Sequence, residues 1–461
     1  MKILFVNPDL GGPYKDSSIY MPPIGLLYVA TVARDAGHDV RVIDVAVDGS
    51  PSDAQIADAD LVGIGCLSSQ FNYALGLAER AKAAGKIVVM GGPHPTFQAE
   101  EILSTGLADY IVRAEGEYTF RELAAAIEQN GRRLDPSNIL GISWRDAEGH
   151  VRHNPPRPFI ENIDELPVPD RGLLNIEAYK ATKLEKTHSA TTLVTSRGCP
   201  FDCSFCVSTR MTGRRWRWRS AESVVDEVQM LRDRYGFTGV FFVDDNLSVD
   251  IARIERLCSM MIERKLGMRW WCMSRADTIV RNERVVARMA QAGCGTIFLG
   301  LESASDDVLK TFNKKSTTDT GARAVRILHK HGIRSQGSFI LGAPEEKIRD
   351  MRRTIEFAKR LNPKVGQFSL LTPFPGSALW DRLADRIDTR DWSRFDCIHA
   401  VYRSDNASVA TRERMWKTAY REYYMRPRYI LAHWRTINFQ KTFSLLSGMF
   451  KRRRKSGPVS T

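Results

Sequence analysis

The chain has 461 residues, of which 43% are hydrophobic and 26% are charged, so it exceeds one typical domain and has the composition of a soluble globular protein. No apolar run reaches the roughly 18 residues of a membrane span, and the N-terminus lacks the long apolar region and cleavage site of a secretory signal, so we expect a cytoplasmic protein. The net charge of +13 suits nucleic acid, an anionic membrane surface or acidic substrates, and does not choose among them.

The first 135 residues alternate short apolar runs with helical patterns, which predicts an α/β domain with a doubly wound parallel sheet. The first helix is predicted from Pro23 to Ala36, where Gly37 stops it. Ligands of such sheets bind at the carboxyl ends of the strands, where glycine lets a ligand approach the backbone closely. The predicted strands are 2–7, 39–45, 59–65, 86–92 and 109–117.

The remaining chain divides into three parts. Residues 136–190 are rich in Pro, Asn, Asp and Arg and are interpreted as a linker with a few short strands. Residues 191–400 predict a partial (β/α)6 barrel, in which chemistry is expected at the carboxyl ends of the strands. Residues 401–461 are predicted to be helical, ending in the basic tail Lys451–Lys455, which is either a solvated end or a peripheral contact with an anionic membrane. The predicted barrel strands are 191–196, 239–245, 269–275, 296–303, 334–342 and 365–371.

The strongest motif is the loop Cys199-Pro-Phe-Asp-Cys203-Ser-Phe-Cys206. Three thiolates at this spacing can hold three irons of a [4Fe–4S] cluster, which leaves the fourth iron open to a ligand. A structural zinc site normally closes with four protein ligands in two separated pairs. Only His188 is a nearby candidate for a fourth ligand, and it precedes the strand before the loop, so we favour a cluster.

This C-x3-C-x-aromatic-C loop after the first strand of a βα barrel resembles the signature of the radical S-adenosylmethionine superfamily, and the resemblance covers roughly residues 190–400. It implies contacts with S-adenosylmethionine at the ends of successive strands, although an acidic residue at a strand end is more often a helix N-cap. The implied contacts are Asp244 and Asp245 for the methionyl amino group, Ser274 and Arg275 for the carboxylate, Gly300, Glu302 and Ser303 for the ribose, and Gly337, Ile340, Gly342 and Glu345 near the adenine.

The first domain resembles the flavodoxin-like (Rossmann-type) domain of cobalamin-binding members of that superfamily. The stretches that carry this resemblance are Met21–Leu27, Val62–Ser69, Gly91–Pro95 and Ala114–Glu117. The chain departs from the D-x-H-x-x-G motif of mutases after its first strand, where it reads Asn7-Pro-Asp-Leu-Gly-Gly12 without a histidine. Cobalamin is therefore expected without a protein imidazole on cobalt. The implied contacts are Pro23, Gly25, Gly65, Ser68, Ser69, Gly91, Gly92, His94, Glu115 and Gly116.

The basic aromatic stretch Arg214–Arg219 (RRWRWR) could bind nucleic acid through stacking and phosphate contacts. We favour the alternative that it links the cluster loop to a helix capped by Ser220. Nucleic acid is accordingly not expected as a partner.

The leading hypothesis is an enzyme with a [4Fe–4S] cluster, S-adenosylmethionine and cobalamin, in its methylcobalamin form, that methylates an unactivated carbon. The resemblance implies a 5′-deoxyadenosyl radical that abstracts hydrogen from a small-molecule, lipid or peptide substrate, and a reductant such as flavodoxin or ferredoxin. The alternative keeps the cofactors and performs a cyclisation or rearrangement without methyl transfer. An RNA-modifying enzyme is less favoured because the other five cysteines are isolated in the sequence, and a non-enzymatic sensor remains a fourth hypothesis.

Overall fold

A computed structural model of the chain describes residues 1–9 and 20–433. The predicted basic tail Lys451–Lys455 lies outside the described residues. Among those that are described, no helix combines the length and the hydropathy needed to cross a bilayer.

The first sheet has seven strands in the order β2-β1-β3-β4-β5-β6-β7, and β1 to β5 run parallel. This order of the parallel strands is flavodoxin-like and confirms the predicted fold of the first domain. The segment expected as a linker contributes β6 and β7, which extend the sheet antiparallel. The strands are β1 Lys2–Asn7, β2 Asp39–Asp44, β3 Leu61–Gly65, β4 Ile87–Gly91, β5 Tyr110–Val112, β6 Ile142–Arg145 and β7 Val151–His153.

The second sheet has the order β16-β15-β14-β13-β12-β9-β8, with six parallel strands and a short antiparallel β8 at one edge. The six predicted barrel strands are all present, so the partial (β/α)6 barrel is confirmed. A separate pair, β10 and β11, stands beside it. The strands are β8 Lys183–Leu184, β9 His188–Leu193, β10 Ser196–Arg197, β11 Arg217–Trp218, β12 Gly239–Phe242, β13 Arg269–Ser274, β14 Cys294–Glu302, β15 Arg334–Leu341 and β16 Val365–Leu370.

Helices cover both faces of the first sheet and the outer face of the second, where the largest hydrophobic core lies. In the first half of the chain they are α1 Ile24–Asp35, α2 Val45–Asp48, α3 Asp53–Asp58, α4 Phe71–Ala83, α5 Pro93–Phe97, α6 Ala99–Ser104, α7 Glu117–Asn130 and α8 Ile176–Tyr179. Those that follow are α9 Ser208–Met211, α10 Ala221–Asp233, α11 Ile251–Glu263, α12 Ala276–Arg281, α13 Glu283–Gln291, α14 Asp306–Thr311, α15 Thr318–Lys330, α16 Ile348–Leu361, α17 Ala378–Arg382, α18 Val409–Tyr424 and α19 Pro427–His433.

The helix α18 closes the open edge of the second sheet. Trp416 donates its indole N–H to the carbonyl of Phe368 at 2.8 Å, and Tyr424 donates its hydroxyl to the carbonyl of Gly366 at 2.9 Å. Both carbonyls belong to the edge strand β16, whose unpaired backbone groups would otherwise be open to another strand. Aromatic side chains of α18 therefore supply the hydrogen-bond donors for these two carbonyls, which a seventh strand would otherwise have supplied.

Residues 374–402, which we call the strap, lie against the first domain. Trp392 of the strap donates its indole N–H to Glu101 at 3.2 Å, and its ring lies 4.5 Å from that of His94. Trp392, Phe395 and the first domain share one hydrophobic core. The strap therefore holds the two domains together on the side where β4 ends.

Candidate functional site

The cysteine loop lies at the carboxyl ends of the barrel strands, as predicted. It begins where β9 ends and β10 turns aside to pair with β11, which explains why the predicted strand 191–196 is split. Gly198, just before Cys199, has φ +86°, and a Cβ there would meet the carbonyl of Arg215 at 2.1 Å. Only glycine therefore allows the chain to enter the loop at this angle.

The loop is held by the segment after α14. The Ser204 N–H donates to the carbonyl of Phe312 at 3.0 Å, and the Ser204 hydroxyl donates to the carbonyl of Thr311 at 3.0 Å. The amide of Asn313 donates to the carbonyl of Asp202 at 2.8 Å. These contacts fix the loop backbone on both sides of Cys203.

The three loop cysteines fit a cluster better than a single ion. All are partly exposed, unpaired thiols, and Cys203 lies close enough to Cys199 and Cys206 to interact electrostatically with both. Within the described part of the chain, their sulfur atoms do not all lie within 4.8 Å of one another. Thiolates on one zinc ion, at Zn–S distances of about 2.3 Å, would be about 3.8 Å apart, whereas a [4Fe–4S] cluster spreads its thiolates over separate irons.

Burial raises the pKa of all three loop thiols, and that of Cys206 to about 12. Lys314 and Arg275 act in the opposite direction on Cys203, since their positive charges favour its thiolate. Metal binding would therefore displace protons from these thiols.

Arg275 lies against the cysteine loop. Its guanidinium carbon is 3.6 Å from the centroid of the Phe201 ring, and its Nε donates to Asp277 at 2.9 Å. A second N–H of the guanidinium donates to the carbonyl of Lys314 at 2.9 Å. A buried arginine held in this way next to the cluster loop presents fixed positive charge to an anionic group of a ligand.

A second charged pair lies at the end of β14. Lys314 Nζ is 2.6 Å from a carboxylate oxygen of Glu302, and both side chains are largely buried. Glu302 has φ +60°, and a Cβ on Gly300 would meet Glu302 at 2.3 Å and Lys314 at 2.5 Å. The bare Gly300 backbone therefore makes room for the pair beside Cys203. Sequence reasoning missed Lys314, which stands on a loop after a short helix and carries no motif of its own.

The two aspartates after β12 face different surroundings. Asp244 is 1% exposed, and its carboxylate accepts from Thr195 N at 2.7 Å and from the Ser196 hydroxyl at 2.7 Å. Asp245 is exposed and accepts from the hydroxyl of Ser208, which follows Cys206. The structure thus turns Asp244 toward the strand that leads into the loop and leaves Asp245 open to a ligand.

The serines predicted at the strand ends make bonds inside the protein. Ser274 Oγ is 2.5 Å from the Ser248 hydroxyl. Ser303 is fully buried, and its hydroxyl accepts from Ser305 N at 3.1 Å. These hydroxyls hold the turns that follow β13 and β14.

The turn after β15 uses a different glutamate from the one that the sequence suggests. Glu346 is 1% exposed and accepts from the backbone N–H groups of Gly342 and Ala343 at 2.5 and 3.1 Å, and burial raises its pKa to about 7. Glu345, assigned to this element from the sequence, is exposed and pairs with Arg382. Spacing alone does not tell adjacent glutamates apart.

The two glycines of this fifth-strand element have separate roles. A Cβ on Gly337 would meet Leu301 at 3.0 Å and Pro363 at 3.1 Å, so Gly337 packs against the core. Gly342 has φ +82° and forms the turn itself.

The carboxyl edge of the first sheet is built from glycine and small side chains. Gly65 and Gly91 end β3 and β4, and Gly92 follows with φ +98°. A Cβ on Gly92 would meet the carbonyl of Cys66 at 2.9 Å. The backbone just after β4 thus packs directly against the backbone just after β3, at the point where the sheet topology predicts a ligand.

His94 is a buried titratable residue in the turn after β4. It is 1% exposed, its Nδ1 is 3.0 Å from the Ser68 hydroxyl, and its Nε2 has no hydrogen-bond partner. Burial lowers its pKa to about 3, so the ring is neutral. A buried ring nitrogen without a partner, beside a glycine-lined edge, fits a polar group of a large ligand.

The other first-domain residues predicted to contact a ligand are placed as follows. Pro23 precedes α1, and a Cβ on Gly25 would meet no atom within 4 Å. Ser69 lies in the short helical turn after β3. Gly116 packs closely against Val29, and Glu115 is engaged in ion pairs with the barrel domain.

The basic aromatic stretch faces inward at two of its arginines. Arg217 and Arg219 are buried and pair with Glu115 and Glu227. Ser220 caps α10, accepting from Ser223 N, as expected.

Three of the five cysteines outside the loop are neighbours in space, although they are isolated in the sequence. Cys258, Cys272 and Cys294 lie in the barrel core, at most 2% exposed, and interact with one another electrostatically. Burial raises the pKa of Cys258 to about 12, as expected of core thiols.

Comparison with known families gives two matches, one in each half of the chain. The model of the radical SAM superfamily matches residues 193–358, and that of the B12 binding domain matches residues 17–124. The candidate site residues at the carboxyl edges of both sheets lie within these matches.

Curated relatives align along most of the chain. An uncharacterized methyltransferase, PH0819, of Pyrococcus horikoshii is 37% identical over 94% of this chain and 94% of its own. The anaerobic magnesium-protoporphyrin IX monomethyl ester cyclase of Rubrivivax gelatinosus is 28% identical over 88% of this chain and 74% of its own. The bacteriochlorophyllide d C-12(1)-methyltransferase of Chlorobaculum tepidum is 29% identical over 84% of this chain and 79% of its own.

The fold is similar to a solved structure. The radical S-adenosylmethionine methyltransferase TsrM of Kitasatospora setae, solved with cobalamin and a [4Fe–4S] cluster, has a TM-score of 0.71 and 22% identity. The similarity covers 83% of this chain and 78% of TsrM.

Proposed function

The chain belongs to the radical S-adenosylmethionine superfamily and carries an N-terminal B12-binding domain, and on this premise we propose that it transfers a methyl group to an unactivated carbon of a small-molecule, lipid or peptide substrate. The observation that carries the proposal is the presence, in one chain, of a three-cysteine loop and of a glycine-lined flavodoxin-like edge. A relative that is 37% identical along 94% of the chain is a methyltransferase by name. Cyclases are similar at lower identity, so cyclisation or rearrangement without methyl transfer is the second candidate.

Cys199, Cys203 and Cys206 would hold the [4Fe–4S] cluster, which supplies one-electron cleavage of S-adenosylmethionine when bound. The protein orients that ligand. Asp245, open beside Cys206, would accept from the methionyl ammonium, and Arg275 would pair with the methionyl carboxylate.

We assign the ribose to the Glu302–Lys314 pair, whose carboxylate is fixed at the end of β14. We place the adenine near the turn after β15, where Gly342 packs against the side chain of Arg412. Asp244, Ser274 and Ser303 act one step further out, because their polar atoms hold the strand ends in place.

Cobalamin would lie along Gly65, Gly91 and Gly92, and would supply the site from which a methyl group is passed to the substrate. Ser68 fixes the ring of His94, whose free Nε2 is left for a polar group of the nucleotide tail. The neutral state of His94 suits a hydrogen bond more than an ion pair.

Reducing equivalents would come from a flavodoxin or ferredoxin, and we infer a cytoplasmic location, because the chemistry needs a reduced cluster. Peripheral membrane contact through the basic tail stays a prediction.

The test uses S-adenosylmethionine labelled with 13C at its methyl group. The reconstituted, reduced protein is incubated anaerobically with this probe and with a metabolite extract from a strain that lacks the chain. A product that carries the label and depends on Cys203 supports methyl transfer. A product without label, formed together with 5′-deoxyadenosine, would replace it with cyclisation or rearrangement.

A further inference from the structure

Arg197 stands two residues before the first cluster cysteine and reaches into the first domain. One guanidinium N–H donates to Glu115 at 3.0 Å, and another donates to Glu117 at 2.5 Å. Its guanidinium carbon also lies 5.1 Å from the ring centroid of Tyr28 on α1. All three partners belong to the first domain, so Arg197 joins the two halves of the chain at the entry to the cluster loop.

The site of this contact is closed and charge-balanced. The pairing of β10 with β11 sets Arg217 opposite Arg197. Arg217 donates to both oxygens of Glu115 at 2.8 Å. Burial tends to raise the pKa of Glu115, but Arg217 and Arg197 outweigh it and hold that pKa below its usual value. Two arginines thus face two glutamates, and all four side chains are at most 15% exposed.

Hydrogen bonds connect the segment that contains these glutamates to the carboxyl edge of the first sheet. Ala114, next to Glu115, has φ +59° and donates its N–H to the Thr96 hydroxyl at 3.0 Å. The Thr96 hydroxyl in turn donates to the carbonyl of Gly92 at 2.8 Å. The glycine turn after β4 is therefore two hydrogen bonds away from the residues that hold Arg197.

The other end of the path is equally fixed. Asp244 accepts from Thr195 and Ser196, immediately before Arg197. The backbone N–H of Gly198, immediately after it, donates to Asp245. Every residue from Thr195 to Gly198 thus has an assigned partner, and Arg197 is the one whose partners lie in the other domain.

We propose that Arg197 is a positioning residue that sets the cluster loop in register with the ligand-facing edge of the first domain, through Glu115 and Glu117. The proposal rests on the proposed function, since register matters only if a group passes between the two sites. Another interdomain contact, that of Trp392 with Glu101 and with the ring of His94, involves no residue next to Cys199. Arg197 differs because its neighbours in sequence and its partners in space belong to the two ligand-facing loops.

Two different products of S-adenosylmethionine distinguish a loss of alignment between the two sites from a loss of cluster function. S-adenosylhomocysteine is left when the sulfonium methyl group is transferred, without its bonding electrons, to a two-electron nucleophile. Cobalamin reduced by the external reductant would supply that nucleophile in the first domain, so this transfer requires the two sites to be aligned. 5′-Deoxyadenosine and methionine form when one electron from an external reductant cleaves the bond to the 5′-carbon, which then takes a hydrogen atom. The second reaction needs the cluster site alone.

The experiment compares Arg197→Gln with the wild type and with Arg269→Gln. Arg269 pairs with Glu185 at the first residue of β13, at the opposite end of the strands, so it controls for the loss of a similar ion pair. The full chain, loaded with iron, sulfide and cobalamin, is given S-adenosylmethionine and titanium(III) citrate. We expect Arg197→Gln to lower S-adenosylhomocysteine formation by about tenfold or more, since misplacement by about 1 Å costs reactions up to about 100-fold.

In the same variant, 5′-deoxyadenosine formation, iron content and cobalamin content should stay within about twofold of the wild type, and Arg269→Gln should leave the ratio of the two products unchanged. Arg197→Lys should fall between, because an ammonium keeps the charge but cannot bridge two carboxylates as a guanidinium does. Equal losses of both products in Arg197→Gln would show a merely structural role and overturn the proposal, as would an unchanged ratio.

Hydrogen–deuterium exchange on the protein without cofactors provides a readout that does not depend on activity. Arg197→Gln should speed exchange in peptides that contain Ala114 and Gly198, and Arg269→Gln should not. Unchanged exchange at both would refute the coupling even if methyl transfer is real. A wild type that forms 5′-deoxyadenosine but no S-adenosylhomocysteine would instead contradict the proposed function, and the exchange data would still decide the coupling.

Discussion

The carboxyl edges of the two sheets, where we propose that ligands bind, are built from different groups. The barrel edge is made of charged side chains with fixed partners, such as the Glu302–Lys314 pair and the Arg275 guanidinium on Phe201. The edge of the first sheet is made largely of backbone, with Gly92 packed against the carbonyl of Cys66 and a neutral, buried His94 two residues further on.

The difference follows from the ligand that each edge would hold. S-adenosylmethionine is small and carries a carboxylate, an ammonium and a sulfonium, so fixed charges can orient it. Cobalamin is large, and glycines at the strand ends would give it close access to the backbone. Removal of a charge should therefore impair the function of the barrel edge, whereas an added side chain should impair the function of the first sheet's edge.

Removal of one cluster cysteine should have the largest effect. Cys203→Ala leaves two thiolates in the loop, so we expect loss of the cluster and a fall in 5′-deoxyadenosine formation of more than about 1,000-fold, because the cofactor carries the chemistry. Iron analysis and product quantification check this, with the buried Cys258→Ala as the control. A full iron load in Cys203→Ala would contradict the ligand assignment.

Breaking the charged pair of the barrel edge should come next. Lys314→Met leaves Glu302 buried without its partner, and loss of one member of a buried pair costs about 3–5 kcal/mol of unfolding free energy. Urea unfolding and the KM for S-adenosylmethionine measure the effect, and the KM should rise. The double variant with Glu302→Gln, which removes both charges, should regain most of the stability, and failure to do so would count against the pair.

Added bulk should break the first edge and spare the second. Gly92→Ala places a Cβ 2.9 Å from the Cys66 carbonyl at φ +98°, with a strain of about 1–3 kcal/mol. We expect loss of cobalamin on gel filtration while 5′-deoxyadenosine formation continues. Gly85→Ala is the matched control, because φ there is +73° but a Cβ would meet no atom within 4 Å. Equal cobalamin loss in both variants would remove the distinction between the edges.

The smallest expected effect is the response of the first domain to acid. Burial lowers the pKa of His94 to about 3, from about 6.5 when unfolded, so the native state favours the neutral ring. Its contribution to stability is present above pH 6.5 and is lost as the pH falls toward 3. Between pH 8 and pH 5 this loss amounts to about 2 kcal/mol. Urea unfolding at both values should show it in the wild type and not in His94→Gln, and parallel losses would refute it.

Regular elements were predictable because local pattern determines them. The alternation of apolar runs predicted eleven strands that the structure contains, with ends shifted by a few residues. The largest difference is at 109–117, where β5 stops at Val112 because Ala114 takes φ +59° and α7 begins at Glu117. A single left-handed residue that is not glycine leaves no sign in a hydrophobic pattern.

The parts of the candidate site whose residues are adjacent in sequence were predictable. The parts that depend on contacts between distant segments of the chain were not. The spacing of Cys199, Cys203 and Cys206 was enough to predict these residues as cluster ligands. Glu345 was chosen over Glu346 because a motif records spacing and not which side chain turns inward. Lys314 was missed because its proximity to Cys203 depends on the loop after α14 folding back over the cluster loop.

By itself, the sequence determined two α/β halves, their order, and a three-cysteine loop after the first parallel strand of the second half. Short-range periodicity and cysteine spacing can be read without three-dimensional information. Only the tertiary structure decided which carboxylates form ion pairs within the protein and which remain available to a ligand. Glu115 shows the difference: its position at the end of β5 suggested a ligand contact, but packing sets it between Arg197 and Arg217. An ion pair depends on the distance between two charges, and Glu115 comes close to the two arginines only when the two domains pack together.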